Sequence, residues 1–243
     1  YNNIITKILY MLAGIAPSAT GIILVCINND KDYRKDFWKR ILNFKLISVK
    51  WYLIIFIVIP ITSCIAILIN YLFTSSFPDF KSLENLIKNP FSILTFALYM
   101  LLFGPIAEEI GWRGYALDYL EKKFNWVSSS LILGFFWAFW HLPMFFIKGT
   151  YQYDLMNKSF LLFIDFYIAI FAVSIIMDWV YNNSKRSILS GILIHFCINF
   201  FGEIFDLPDN IMYLRTLVQV ILAVFILIYY KIKYFLKLKV NEN

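Results

Sequence analysis

Seven long apolar runs divide this chain, near residues 7–27, 51–73, 91–107 continuing toward 120, 127–147, 160–181, 187–205 and 211–230. Short polar connectors part them, among them Asn28-Asn29-Asp30, Thr74-Ser75-Ser76, Asn182-Asn183-Ser184 and Asp206-Leu207-Pro208-Asp209-Asn210. About 20 consecutive apolar residues cross a bilayer as a helix. A β-barrel would need alternating segments of about 10 residues, and these runs are continuous. The pattern predicts an all-α fold, a polytopic transmembrane helical bundle of about seven spans that fills residues 1–243 as a single membrane domain. The first run carries Lys7 and Pro17 without a small-residue cleavage pattern, so it reads as a span and not a signal peptide. The chain begins at Tyr1 with no Met, which leaves room for a preceding segment and an eighth span.

Composition agrees with that picture. Sixty per cent of the residues are hydrophobic and 16% charged, against roughly 25% charged in a soluble domain. The three cysteines, Cys26, Cys64 and Cys197, are isolated in apolar runs and show no CxxC spacing. They read as small packing residues and not as a disulfide or structural zinc framework.

The basic residues set the orientation. With the amino terminus outside, the cytoplasmic set is Lys31, Arg34, Lys35, Lys39, Arg40, Lys45, Lys50, Arg113, Lys122, Lys123, Lys185, Arg186, Lys231, Lys233, Lys237 and Lys239. The opposite side holds Lys7, Lys81, Lys88, Lys148, Lys158 and Arg215, so the positive-inside rule favours this arrangement. The net charge of +6 arises from these loops. No soluble domain is present to carry a nucleic-acid surface. Anionic lipid headgroups suffice as partners for the 28–50 loop and for the 231–239 tail, which reads as an interfacial anchor.

Against this background a few polar groups stand out. A charge at the bilayer centre costs roughly 2.5–3.5 kcal/mol on insertion scales, so an intramembrane ionisable residue needs a reason. Glu108 and Glu109 edge the third run, followed by Arg113. Glu109 and Arg113 are i and i+4 with the acid first, the favourable order for a pair on one helix face. Glu108 is left on another face with no local counter-charge, a state suited to a general base. Gly104-Pro105, just before, predicts a kink or restart of the helix, because proline removes a donor and clashes with the preceding turn. Loosened backbone at this depth calls for protein or water around it.

His141 closes an aromatic-rich run and is followed by Leu142-Pro143. His195 and Asn199 share one face of an otherwise apolar helix, where they could receive a developing oxyanion or join two helices. A carboxylate, two imidazoles and a carboxamide on three spans suit hydrolysis of an amide within the membrane. HExxH, GxSxG and GxGD patterns are absent. Asp165, Asp178, Glu203 and Asp206 lie near span ends and are assigned no chemistry. The groups meet only if the third helix continues to about residue 120, since Glu108 otherwise sits at the membrane edge.

These motifs resemble those of the CAAX prenyl protease type II and bacteriocin-processing family, the Abi or CPBP intramembrane proteases. The family pattern EExxxR, FxxxH, HxxxN corresponds to Glu108-Glu109-Ile110-Gly111-Trp112-Arg113, Trp137-Ala138-Phe139-Trp140-His141 and His195-Phe196-Cys197-Ile198-Asn199. The match spans roughly residues 91–205, the expected catalytic core. Trp137 stands where the family has Phe, which bears on the shape of the pocket. The resemblance implies an endopeptidase with Glu108 as base, His141 holding or activating the water, and His195 with Asn199 as the oxyanion hole. Glu109, Arg113 and Trp137 would support the site.

Members are often described as metalloproteases, which makes Glu108, His141 and His195 alternative zinc ligands; the glutamate–water reading requires no cofactor and is favoured. The expected substrate is a membrane-associated peptide or protein. The resemblance implies roles in bacteriocin or pheromone maturation, self-immunity or surface-protein display. The Ile-, Asn-, Lys- and Phe-rich composition points to a bacterial cytoplasmic membrane, with the site open to the cytoplasm and no prenylated eukaryotic substrate. A non-catalytic immunity or scaffold protein is the competing reading. A small transporter is weakened by the lack of an inverted repeat. Oligomeric state is not legible.

Overall fold

A computed structural model describes the backbone of residues 4–241 and the side chains of Ile4 and of residues 8–230. Twelve α-helices carry the described chain, and no strand occurs among the described residues. They are α1 (Ile4–Cys26), α2 (Lys31–Leu42), α3 (Val49–Thr74), α4 (Lys81–Lys88), α5 (Pro90–Leu101), α6 (Ala107–Gly111), α7 (Leu117–Glu121), α8 (Trp126–His141), α9 (Tyr151–Lys158), α10 (Phe160–Asn183), α11 (Ile188–Phe205) and α12 (Asp209–Asn241). Seven segments among the described residues are long and apolar enough to cross a membrane: Ile8–Cys26, Val49–Thr74, Pro90–Glu121, Trp126–Phe146, Phe160–Asn183, Ile188–Phe205 and Asp209–Tyr230. Each matches a run seen in the sequence. The predicted anchor at 231–239 lies outside the residues with described side chains, although its backbone continues α12 as helix.

Among the long helices, α10 buries the most side chains. It is apolar on all sides, the mark of a helix enclosed by others, and Ile176, Met177, Val180 and Tyr181 are fully inaccessible. Helices α8, α11 and α12 pack directly on α10, and α3 lies across α11 and α12. Outward faces stay strongly apolar, with Phe73, Phe91 and Phe225 among the exposed side chains. In a soluble protein such faces would be a liability. Around a membrane bundle they meet lipid.

The third span is where regular geometry gives way. Between α5 and α6 the chain forms a π-helical turn, Leu102–Ile106, in which Phe103 leaves the helical region at φ −96°, ψ 26°. A second π-turn, Trp112–Ala116, separates α6 from α7. Pro105 cannot donate to the preceding turn, so the wider turn absorbs the break that Gly104-Pro105 predicted. Beyond it the helix runs on to Glu121, as the meeting of the polar groups requires. Wide turns of this kind concentrate at functional sites. These two bracket the one turn that holds Glu108 and Glu109.

Helix α1 supports that turn by backbone contact. Gly21 packs on the Gly111 backbone, and Ser18 Oγ donates to the Ile106 carbonyl at 2.8 Å, an acceptor in the disturbed turn. The 28–50 segment, expected to be a loop facing lipid headgroups, instead contains α2, and Arg40 turns inward. Arg40 donates to Asp118 Oδ2 at 2.7 Å and to the Tyr181 hydroxyl at 2.7 Å, while Tyr181 donates to Asp118 Oδ1. Arg186 also pairs with Asp118. Burial opposes charge on Arg40, yet Tyr181 and Asp118 hold its guanidinium above the usual range. The cluster ties α2, α7 and α10 together at one end of the bundle.

A methyl group on Gly111 would fall 2.0 Å from the Pro17 carbonyl oxygen, a backbone atom that cannot swing aside. Gly111→Ala should therefore force α1 away and lower stability by about 1–3 kcal/mol. Thermal unfolding in detergent reads this directly; an unchanged midpoint would show that α1 is not seated as described.

Candidate active site

Glu109 and Glu108 are adjacent on α6 and therefore point about 100° apart. They enter different environments. Glu109 accepts from Arg113 Nη1 at 3.0 Å, the predicted i,i+4 pair, and from His195 Nδ1 at 2.7 Å through the same oxygen. Among the described residues Glu108 has no cationic partner. Its Oε2 accepts from the Trp137 indole Nε1 at 2.7 Å, and among the described residues this is its one hydrogen bond.

Arg113 is completely buried and is held from three further directions. Its Nε donates to Asp178 Oδ1 at 3.1 Å, its Nη2 to Ser174 Oγ at 3.2 Å, and its guanidinium carbon stands 4.8 Å from the centre of the Trp137 ring. Asp178 corrects the sequence reading, which set it aside as a span-end acid. It is fully buried and binds the central cation. The local pairing rule sees only partners on one helix, whereas a guanidinium has five donors and takes acids from two. A signal was present: Ser174, Asp178 and Asn182 recur at four-residue spacing within an otherwise apolar run.

The two histidines meet around one ring. Trp137 makes edge contacts with His195 at 5.2 Å between centroids and with His141 at 5.8 Å. His141 Nδ1 lies 2.7 Å from the Trp137 carbonyl, which can only accept, so that nitrogen carries the proton and Nε2 is left open. By the same logic His195 Nδ1 carries the proton shared with Glu109. Three of the predicted positions, Glu108, Trp137 and His195, thus form one connected group, and His141 joins it through the Trp137 ring.

Asn199 lies one turn beyond His195 on α11, partly buried, and no side chain or backbone group among the described residues hydrogen-bonds its carboxamide. Gly104 explains how it fits. A methyl group there would stand 2.9 Å from the Asn199 amide nitrogen. The disturbed turn therefore supplies a bare backbone against which the carboxamide rests. This link between Gly104 and Asn199 crosses almost a hundred residues and leaves no trace in spacing.

Among the described residues, the atoms that could converge on a metal ion belong to Glu108, Glu109 and His195, within 4.8 Å of one another. His141 is not in that group, unlike the zinc set weighed from sequence. One imidazole and two carboxylates can bind zinc, but here the Arg113 cation stands 3.0 Å from Glu109 and would repel an ion placed there. Glu109 Oε1 is taken by His195 and Arg113 and Glu108 Oε2 by the indole, while Glu109 Oε2 has no hydrogen-bond partner among the described residues. With the Arg113 cation this close, the set fits a metal poorly.

Fold and site together describe a polytopic membrane protein with a carboxylate–imidazole centre buried among its helices. Residues 90–201 match the family described as Type II CAAX prenyl endopeptidase Rce1-like. The chain is also 32% identical over 234 residues to CAAX prenyl protease 2 of Methanococcus maripaludis, covering 95% of this chain and 84% of that protein. The chain belongs to the Rce1-like type II CAAX prenyl endopeptidase family, and it is an intramembrane endopeptidase of the CAAX prenyl protease type.

Asp178→Asn removes one of the two acids that neutralise Arg113 while keeping the side chain's shape. Loss of a hydrogen bond to a charged group is worth about 1.5–3 kcal/mol, and the unfolding midpoint in detergent should fall accordingly. The same change at the exposed Glu84 should leave the midpoint in place. Equal midpoints for both variants would remove Asp178 from the supporting web.

Proposed function

We propose that Glu108 is the general base of a water-dependent peptidase. The observation that carries this is the difference between neighbouring acids: Glu109 is bound by the Arg113 cation and by His195, while among the described residues Glu108 meets only a neutral indole N–H, on one of its two oxygens. The free oxygen takes a proton from water as the water oxygen bonds to the scissile carbonyl carbon. His141, with Nδ1 fixed on the Trp137 carbonyl, presents Nε2 to the same water. His195 and Asn199 receive the oxyanion. With Nδ1 given to Glu109, His195 can donate from Nε2 only as the imidazolium, a charge that Glu109 balances. Collapse of the intermediate breaks the C–N bond, and the proton taken from water passes to the leaving amine. Glu109, Arg113 and Trp137 hold these groups in place.

The proposed mechanism uses no cofactor: Glu108 activates the water, and His195 and Asn199 receive the oxyanion. The proposed substrate is a peptide or protein that reaches the site from the membrane, in bacteriocin or pheromone maturation, self-immunity or surface-protein display. The proposed location is a bacterial cytoplasmic membrane, multi-pass, with the amino terminus outside. The basic residues of α2, of the 122–123 and 185–186 turns and of the 231–239 segment then lie inside, and the site opens to the cytoplasm. Residues 91–205 are proposed as the catalytic core of a single membrane domain.

Glu108→Gln should abolish cleavage of a peptide library by detergent-purified protein while leaving the unfolding midpoint within a few degrees. Wild-type cleavage should survive a chelator. Cleavage lost to the chelator and restored by zinc would move Glu108, Glu109 and His195 into a metal site. A fully active Glu108→Gln enzyme would end the glutamate reading, and no cleavage by wild type with host protection intact would favour a scaffold.

Asn199→Ala removes one oxyanion donor, worth about 2.7–4 kcal/mol in comparable sites. Its kcat should fall by about 100-fold or more with little change in KM. A loss confined to KM would place Asn199 in substrate binding instead.

A further inference from the structure

The three family motifs, as they resemble this chain, require an aromatic ring four residues before His141, and Phe would satisfy them. This chain has Trp137, and the difference is one N–H group. That N–H points at Glu108 Oε2 from 2.7 Å, and both residues are buried. A phenylalanine could wall the same space, but it has no donor. Among the described residues no other group would then hydrogen-bond the Glu108 carboxylate.

The remaining contacts of Trp137 converge on the same chemistry. Its ring edge-packs against both His195 and His141, its backbone carbonyl fixes His141 Nδ1, and its face lies against Arg113. A single residue on α8 thereby touches the acid on α6, the histidine on α11 and the histidine on its own helix. A carboxylate with two equivalent oxygens and free rotation about its last bond is a poorly aimed base, whereas one with an oxygen held is aimed through the other.

We propose that Trp137 is a positioning residue whose indole N–H aims the Glu108 carboxylate, leaving one defined oxygen for the water. This rests on Glu108 being the base, and it adds a requirement that the three motifs do not contain. It works by orientation, so it acts on turnover and not on substrate affinity.

Two variants separate the N–H from the ring. Trp137→Phe keeps an aromatic wall but loses the donor and part of the volume. Replacement of Trp137 by 3-benzothienylalanine, introduced by stop-codon suppression, keeps the bicyclic shape and exchanges N–H for sulfur. Both should lower kcat by about 10- to 100-fold, the worth of one hydrogen bond to a charged group. KM should stay within about twofold, and the unfolding midpoint of the benzothienyl protein should match wild type. Full activity in the benzothienyl protein would overturn the proposal and leave Trp137 a packing residue. A loss that lies in KM would overturn it as well. Failure of the base assignment looks different, since Glu108→Gln would then cleave normally whatever stands at 137.

Discussion

A guanidinium closed off from solvent must be neutralised on the spot, and Arg113 is the constraint to which the rest of this structure answers. Two acids and a hydroxyl from two helices close on it, and an indole face covers it. Leaving such a charge unpaired costs about 3–5 kcal/mol when one partner is removed. The register of α6 against α10 is therefore not free to slip. Because Glu109 also holds His195, α11 is brought into the same register. Helices in lipid gain little from apolar contact with one another, since lipid tails are equally apolar. A shared buried charge supplies the specificity that hydrophobic packing cannot.

Backbone devices make room for that web. Gly111 lets α1 approach α6 to within backbone contact, and Gly104 leaves space for the Asn199 carboxamide. Two π-turns set the phase of the short helix between them, so that its two glutamates face different neighbours. A second ionic cluster, Arg40 with Asp118, Tyr181 and Arg186, stands about one helical turn further along the third span and α10. It pins α2 across the end of the third span. Both clusters join the third span to α10, and together they fix its tilt as well as its register.

Much of this was legible in one dimension. Hydropathy placed all seven spans, because membrane helices must satisfy their backbones internally and cover themselves with apolar side chains. The Glu109–Arg113 pair followed from four-residue spacing, and Gly104-Pro105 announced a broken turn. What stayed hidden was every partnership between helices. In sequence Asp178 is an acid near a span end and Arg40 one more loop cation, whereas the fold sets Asp178 on Arg113 and Arg40 on Asp118. Trp137 was expected to shape a wall, yet its indole N–H faces Glu108. Spacing reports what shares a helical face; it carries no information on which faces meet.

The paired glutamates show how helical geometry can divide labour between neighbours. Were the two acids four residues apart, they would share a face and compete for the same cation. As adjacent residues they diverge by about 100°, and the web around Arg113 can capture only one. Glu109 completes the charge balance, and its neighbour is left with a neutral donor in place of a counter-ion. An ion pair would hold Glu108 as firmly as Trp137 does, but it would also stabilise the negative charge that a base must give up on accepting a proton. A single indole N–H restrains direction at a smaller cost in basicity. On the proposed mechanism, that is why the residue beside the base is a neutral tryptophan and the cation belongs to the adjacent acid.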